Sequence, residues 1–215
     1  AQLMYYYRWP QAMTQSVPGY ESYSGADTRN ALAPTQFLWD KMKTKYVKND
    51  PNTEAVNAVA DLMLYCGYAA RMNYEIEGSG ASAYTLADGM SKYFGYNPNT
   101  WKGVSRYQYT ISEWDELIYN EIANGRPVMY SGSGAKGGHV VLCDGYDGAG
   151  MFHFNWGWGG SYDGYFKLQV TNPYGKYGEG FVADNDCIIG LQPSSWPDIA
   201  DPNADDQWEV AEING

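Results

Sequence analysis

The chain has 215 residues, of which 44% are hydrophobic and 16% aromatic, with 21 Tyr and 8 Trp. Only 18% are charged, which excludes disorder for most of the length and fits one domain with a sizeable core, or one domain and a tail. The formal net charge is -11, and from Pro197 onward Asp198, Asp201, Asp205, Asp206, Glu209 and Glu212 stand with no Lys or Arg; an acidic body without a basic stripe argues against nucleic acid or an anionic membrane as a partner.

Residues 1 to 8 read as the closing turns of a helix stopped by Pro10. There is no start Met, no signal peptide and no apolar run long enough to span a bilayer. A chain opening in mid-pattern with Ala1-Gln2-Leu3-Met4-Tyr5-Tyr6-Tyr7 is expected to be a fragment of a longer precursor. Residues 11 to 34 are polar and Gly- and Ser-bearing, as a long surface loop would be. A short helix is predicted over residues 35 to 46, carrying Phe37, Leu38 and Trp39. Asp50-Pro51 predicts a helix start, with Asp as N-cap and Pro at the first position. The following helix would set Val56, Val59, Met63 and Cys66 on one apolar face and stop at Gly67.

Another helix is predicted over residues 81 to 94, after the small-residue stretch Gly78-Ser79-Gly80-Ala81-Ser82. Ser112-Glu113-Trp114-Asp115 reads as a capping box for a helix running to Asn124, with Gly125 as its end signal. After Pro127 the period changes to that of strands: residues 128 to 130, 139 to 143, 151 to 155, 165 to 170 and 187 to 191, separated by Gly- and Asp-rich turns. Helices first and an antiparallel sheet or barrel second make an α+β fold, with residues 1–193 as the body and 194–215 as an acidic extension or linker.

The chemistry concentrates in two segments, Gly137-Gly138-His139-Val140-Val141-Leu142 and Phe152-His153-Phe154-Asn155-Trp156-Gly157-Trp158-Gly159-Gly160. The chain has only 2 His. A lone strand histidine is more often a satisfied core residue than a catalyst, but two glycines before His139 let a substrate or another backbone approach it. His153 lacks that approach. If the two runs are neighbouring antiparallel strands, the Asn155 carboxamide can reach the His139 imidazole and fix its tautomer, with Trp156 shielding that bond from water. A cysteine peptidase needs such a held imidazole beside a thiolate. The plainer reading of Trp156 to Gly160 is a turn plugged by aromatics. Residues 130 to 138 read as a flexible, small-sided rim of a cleft.

The 3 Cys do not make a disulfide framework, and Cys66, Cys143 and Cys187 all read as small apolar core residues. Asp144, Asp147, Asp163, Asp184 and Asp186 lie near turns but form no calcium loop, and the Cys and His spacings fit no zinc site, so no metal is expected. No phosphate-cradling glycine loop followed by Lys is present, and no cofactor is expected.

Gly137-Gly138-His139, the Asp144-Gly145 turn and Asn155-Trp156-Gly157-Trp158-Gly159-Gly160 resemble the streptopain family of secreted bacterial cysteine peptidases, and within it interpain-type enzymes. Phe94-Gly95-Tyr96-Asn97 and Asp163-Gly164-Tyr165-Phe166 match the same pattern. The resemblance implies a papain-like fold, a helical N-terminal part packed on an antiparallel sheet or barrel. It implies His139 as general base, Asn155 and Trp156 as its orienting and shielding partners, and Gly138, Gly80, Ala81 and Ser82 as substrate-binding. It places the nucleophilic cysteine upstream of Ala1, by roughly two helical turns. It further implies protein or peptide substrates, secretion, and a zymogen with an N-terminal inhibitory prodomain. The rival readings are a catalytically dead relative and an aromatic-rich extracellular binding module that grips its ligand through Tyr and Trp.

Overall fold

The computed structural model describes residues 1–23, 25, 28–76, 78–134, 137–169, 171–172 and 180–196. The acidic extension expected over 194–215 lies almost wholly outside the described residues, as does Val170 at the end of an expected strand. Contacts divide the chain into two compact units, Ala1–Asn99 and Thr100–Gly215. Helices dominate the first and an antiparallel sheet the second, the α+β order that the change of sequence period predicts.

In the first unit, α1 spans Gln2–Tyr7 and ends on Arg8 in the left-handed conformation. The two-residue strands β1, Tyr20–Glu21, and β2, Thr28–Arg29, pair antiparallel within the segment expected as loop. The helix predicted over 35 to 46 shrinks to a single 3-10 turn, Trp39–Lys41. Burial shows why: Phe37 and Trp39 are buried while Leu38 between them is 47% exposed, a period of two that suits extended chain.

Helix α2 runs over Thr53–Ala69 and is capped by Asn52, whose side chain accepts the Ala55 N–H, rather than by Asp50. Asp50 instead accepts the Asn52 N–H and pairs with Lys43. The buried stripe of α2 is Ala55, Ala58, Leu62 and Cys66; of the expected face Cys66 lies on it, Val56 and Val59 are half-buried, and Met63 is exposed. The alanines have little apolar surface to advertise the face, but their small size lets a neighbour approach. Gly67 does not end the helix; the Tyr74 ring occupies the place a side chain would take. Helix α3, Ala83–Phe94, ends at Gly95 with φ 70°. Gly89 lets it approach the Ala69 backbone of α2 closely.

The second unit begins with β3, Lys102–Ser105, a short edge strand that its Lys and Gly hid from the period-two reading. Helix α4, Ile111–Ala123, has the capping box, but Thr110 is the cap: its hydroxyl accepts the Glu113 N–H while Glu113 accepts the Thr110 N–H. The cap lies two residues ahead of Ser112, so that Glu113 rather than Asp115 takes the third helical position and closes the box. Strands β4 (Val128–Gly134), β5 (Gly137–Tyr146), β6 (Phe152–Asn155), β7 (Gly164–Phe166) and β8 (Ala183–Ile189) complete a six-stranded antiparallel sheet in the order β3-β8-β4-β5-β6-β7.

Register sets the core. Val128 faces Cys143, Tyr130 faces Val141 and Cys187, and Cys143 faces Phe154. One face therefore presents Val128, Tyr130, Val141, Cys143, Phe154 and Cys187, and on it pack Trp114 and Ile118 of α4. Burying the Val, Ile and Phe side chains among them contributes about 1.5–3 kcal/mol each. The small-sided segment expected as a flexible rim is instead a hairpin, with Gly134 paired to Gly137. Its glycines serve a close approach: a side chain on Gly132 would collide with the Phe181 carbonyl, and one on Gly134 with the Gly180 carbonyl.

Candidate active site

His139 extends the alternation of Val141 and Cys143, so its ring sits at the end of the core face of β5. Its strand partner is Gly132, which leaves the ring room and lets Phe181 lie against it. Three aromatic rings enclose the imidazole. Trp158 stacks at 4.9 Å and 25°, Phe181 tilts against it at 5.5 Å, and Trp156 lies parallel at 6.3 Å. The closer cover is Trp158, not the Trp156 singled out from sequence.

The hydrogen-bond partner of the ring also differs from the expected one. His139 Nε2 lies 2.9 Å from the Trp156 backbone carbonyl. Asn155 is opposite Leu142, three positions from His139, so alternation puts the two side chains on opposite faces of the sheet. The Asn155 side-chain oxygen instead accepts the Gly157 N–H at 3.0 Å. That N–H and the Trp156 carbonyl are the two ends of one peptide group. Asn155 thus grips from behind the same peptide whose oxygen holds the imidazole, and polarises it in the favourable sense. A carbonyl can only accept, so Nε2 carries the ring proton and Nδ1 keeps its lone pair for a proton arriving from elsewhere.

Phe181 was not legible as a site residue, because nothing in its sequence neighbourhood marks it. Two buried polar side chains hold it: the Thr171 hydroxyl and the Asn185 amide both donate to its carbonyl, at 2.8 and 2.9 Å. Gly138, the candidate substrate contact beside His139, is exposed opposite Ser133. The structure thus brings Gly138, His139, Asn155 and Trp156 together in the second unit. Gly80, Ala81 and Ser82 belong to the first unit, where all three are exposed. There Gly80 exchanges backbone hydrogen bonds with Asn73, and Ser82 holds the N-cap position of α3 without capping it.

His153 occupies a different environment. Its Nδ1 lies 2.6 Å from Asp144 and its ring meets Tyr165 edge-on. The three cysteines are buried. Burial pushes the thiols of Cys143 and Cys187 well up, with nearby carboxylates adding to it, and Cys66 donates to the Met4 sulfur. None of the three offers an accessible thiolate. Among the described residues no group of three His, Cys, Asp or Glu side chains is placed to hold a metal ion, and no helix is long and apolar enough to cross a membrane.

The sequence and the fold of the chain are similar to those of known proteins. The chain is 30% identical over 200 residues to the thiol protease/hemagglutinin PrtT of Porphyromonas gingivalis, covering 90% of this chain and 23% of that protein. It is 30% identical over 167 residues to streptopain of Streptococcus pyogenes, covering 76% of this chain and 42% of the relative. The chain therefore spans less than half the length of either. Active interpain A of Prevotella intermedia, a cysteine protease, superposes with a TM-score of 0.77 at 33% identity over 89% of this chain and 80% of its own. A fragment of prointerpain A carrying a Cys-to-Ala substitution does so with a TM-score of 0.72 at 35% identity, over 89% and 60%. The fold is thus the papain-like α+β fold of these peptidases. Residues 1–166 match the family model described as Peptidase C10, and with it the chain belongs to the Peptidase C10 family.

Proposed function

We propose that this chain forms the histidine-bearing part of a secreted bacterial cysteine endopeptidase, with His139 as the general base. The observation that carries the reading is the His139 Nε2 contact with the Trp156 carbonyl, which leaves Nδ1 as the basic nitrogen. The nucleophile is assigned to a cysteine preceding Ala1, since Cys66, Cys143 and Cys187 are all buried. Gly138 and residues 80 to 82 are assigned to substrate binding, and protein or peptide chains are the substrates.

In this reading Nδ1 takes the proton of the thiol, and the resulting thiolate attacks the carbonyl carbon of the scissile peptide. Backbone N–H groups stabilise the oxyanion, the imidazolium gives its proton to the leaving amine, and a thioester remains. Nδ1 then deprotonates a water, which attacks the thioester and regenerates the thiol. The Trp156 carbonyl holds the imidazolium through both transfers, Asn155 fixes that carbonyl, and the flanking rings keep water from competing for the bond. A pro form with an N-terminal inhibitory segment is supported by the prointerpain A likeness.

The test is hydrolysis of a fluorogenic peptide by the full-length polypeptide and by His139→Ala. Loss of at least about 10³-fold in kcat/KM is expected for the variant, the scale on which removing the base of such a site acts. Full activity in the variant, or none in a wild-type protein that still binds carbohydrate, would favour a binding module instead.

A further inference from the structure

Asp163 is a turn acid with no role in the chemistry above, but its side chain is not simply solvated. It precedes Gly164, the first residue of β7 and the end of its ladder with β6, and so lies beside Asn155. From there its Oδ1 accepts the Trp156 N–H at 2.9 Å. Trp156 is thereby held on both sides. The peptide before its Cα is fixed by Asp163, and the peptide after it by Asn155 through the Gly157 N–H. Only the second of these peptides carries the oxygen that meets His139 Nε2, yet its orientation turns about the bonds that the first one anchors.

Between the two ends the chain makes a tight excursion. Gly157, Gly159, Gly160 and Tyr162 all have positive φ, at 75°, 65°, 87° and 68°. Three of the four are glycines, for which the left-handed region carries no penalty, so the excursion has little intrinsic stiffness. Among its backbone bonds are Ser161 N–H to the Trp158 carbonyl at 3.2 Å and Asp163 N–H to the Gly160 carbonyl at 3.4 Å. The carboxylate of Asp163 closes the excursion onto its own first residue.

We infer that Asp163 is a positioning residue for the proposed hydrolysis: by holding the Trp156 N–H it sets the Trp156 carbonyl that orients His139. It touches neither substrate nor imidazole and acts through the Trp156 backbone. This rests on the assignment of His139 as general base. What the site requires from position 163 is an acceptor oxygen at that distance, and the negative charge is secondary.

The experiment uses the full-length polypeptide and compares Asp163→Ala, Asp163→Asn and Asp163→Glu by pH-dependent peptide hydrolysis. Loosening the carbonyl is expected to lower kcat about 10-fold in the alanine variant with KM little changed, since misplacing a catalytic group by an ångström costs up to about 10²-fold. The acceptor favours the imidazolium, so its loss moves the alkaline limb of the kcat/KM profile to lower pH. Asp163→Asn keeps an oxygen at the same position and is expected to restore both kcat and the limb. Asp163→Glu pushes the oxygen out of place and is expected to resemble alanine. If the alanine variant does not fold, the Asn and Glu variants decide, and equal kcat and equal alkaline limbs in those two overturn the inference. So does an alanine variant with wild-type kcat and limb. His139→Ala run alongside separates the two levels: activity retained there sinks the general-base assignment, whereas activity lost there with Asp163 indifferent sinks this inference alone.

Discussion

Glu121 is 7% exposed at the end of α4, and its carboxylate takes three hydrogen bonds. Arg126 donates to both oxygens, Nε to Oε2 at 3.0 Å and Nη2 to Oε1 at 2.9 Å, and the Gly190 N–H donates to Oε2 at 2.7 Å. The carboxylate therefore ties the end of α4 to the chain leaving β8. Glu121→Ala would leave the guanidinium without its carboxylate and a buried N–H without its acceptor. Breaking such a pair from one side costs about 3–5 kcal/mol. The Arg126 side chain is 19% exposed, so water can relieve part of the loss and the lower end, about 3 kcal/mol, is expected. That corresponds to a fall in Tm of roughly 6–12 °C for a body of this size. Urea denaturation followed by circular dichroism and tryptophan fluorescence measures it. The double variant Glu121→Met/Arg126→Met buries no charge and is expected to be more stable than Glu121→Ala by at least about 1 kcal/mol. A single variant within about 0.5 kcal/mol of wild type, or a double variant less stable than the single, would refute this account of the pair.

Two further outcomes follow from the geometry. Gly132→Ala puts a methyl into the Phe181 carbonyl and the Asn185 amide; it is expected to cost about 1–3 kcal/mol in denaturation and to lower peptide hydrolysis at temperatures where the fold persists, because Phe181 flanks His139. Wild-type stability and turnover in that variant would show that the Phe181 segment is not held there. Acid stability should depend on Asp184 and Glu113, whose carboxyls are held below the ordinary range by hydrogen bonds, from Ser133 and then Tyr107 to the first and from Thr110 to the second. Groups depressed in the folded state contribute stability that is fully present above the ordinary carboxylate value, about 4, and is lost as pH falls through the folded values. Ser133→Ala and Thr110→Ala should therefore narrow the stability difference between pH 7 and pH 3; an unchanged difference would remove these contacts from the account.

The sequence by itself determined the fold class, because a change of apolar period from helical to alternating at Pro127 reports backbone type directly. It also marked His139, Asn155 and Trp156, because glycines before a strand histidine and an Asn-Trp pair closing the next strand are local features. It misplaced what local pattern does not encode. The face of α2 is set by Ala55 and Ala58, whose burial comes from being small rather than apolar, and the helix expected at 35 to 46 yields to an alternating burial that only packing reveals. Who holds His139 was a matter of register: with Leu142 opposite Asn155, the carboxamide falls on the wrong face and the Trp156 carbonyl takes its place. Phe181 and Asp163 reach the site because the chain turns back on itself, through a glycine that makes room for the one and left-handed residues that deliver the other. One strand shows which side chains share a face, but only the assembled sheet decides which backbone group meets the ring.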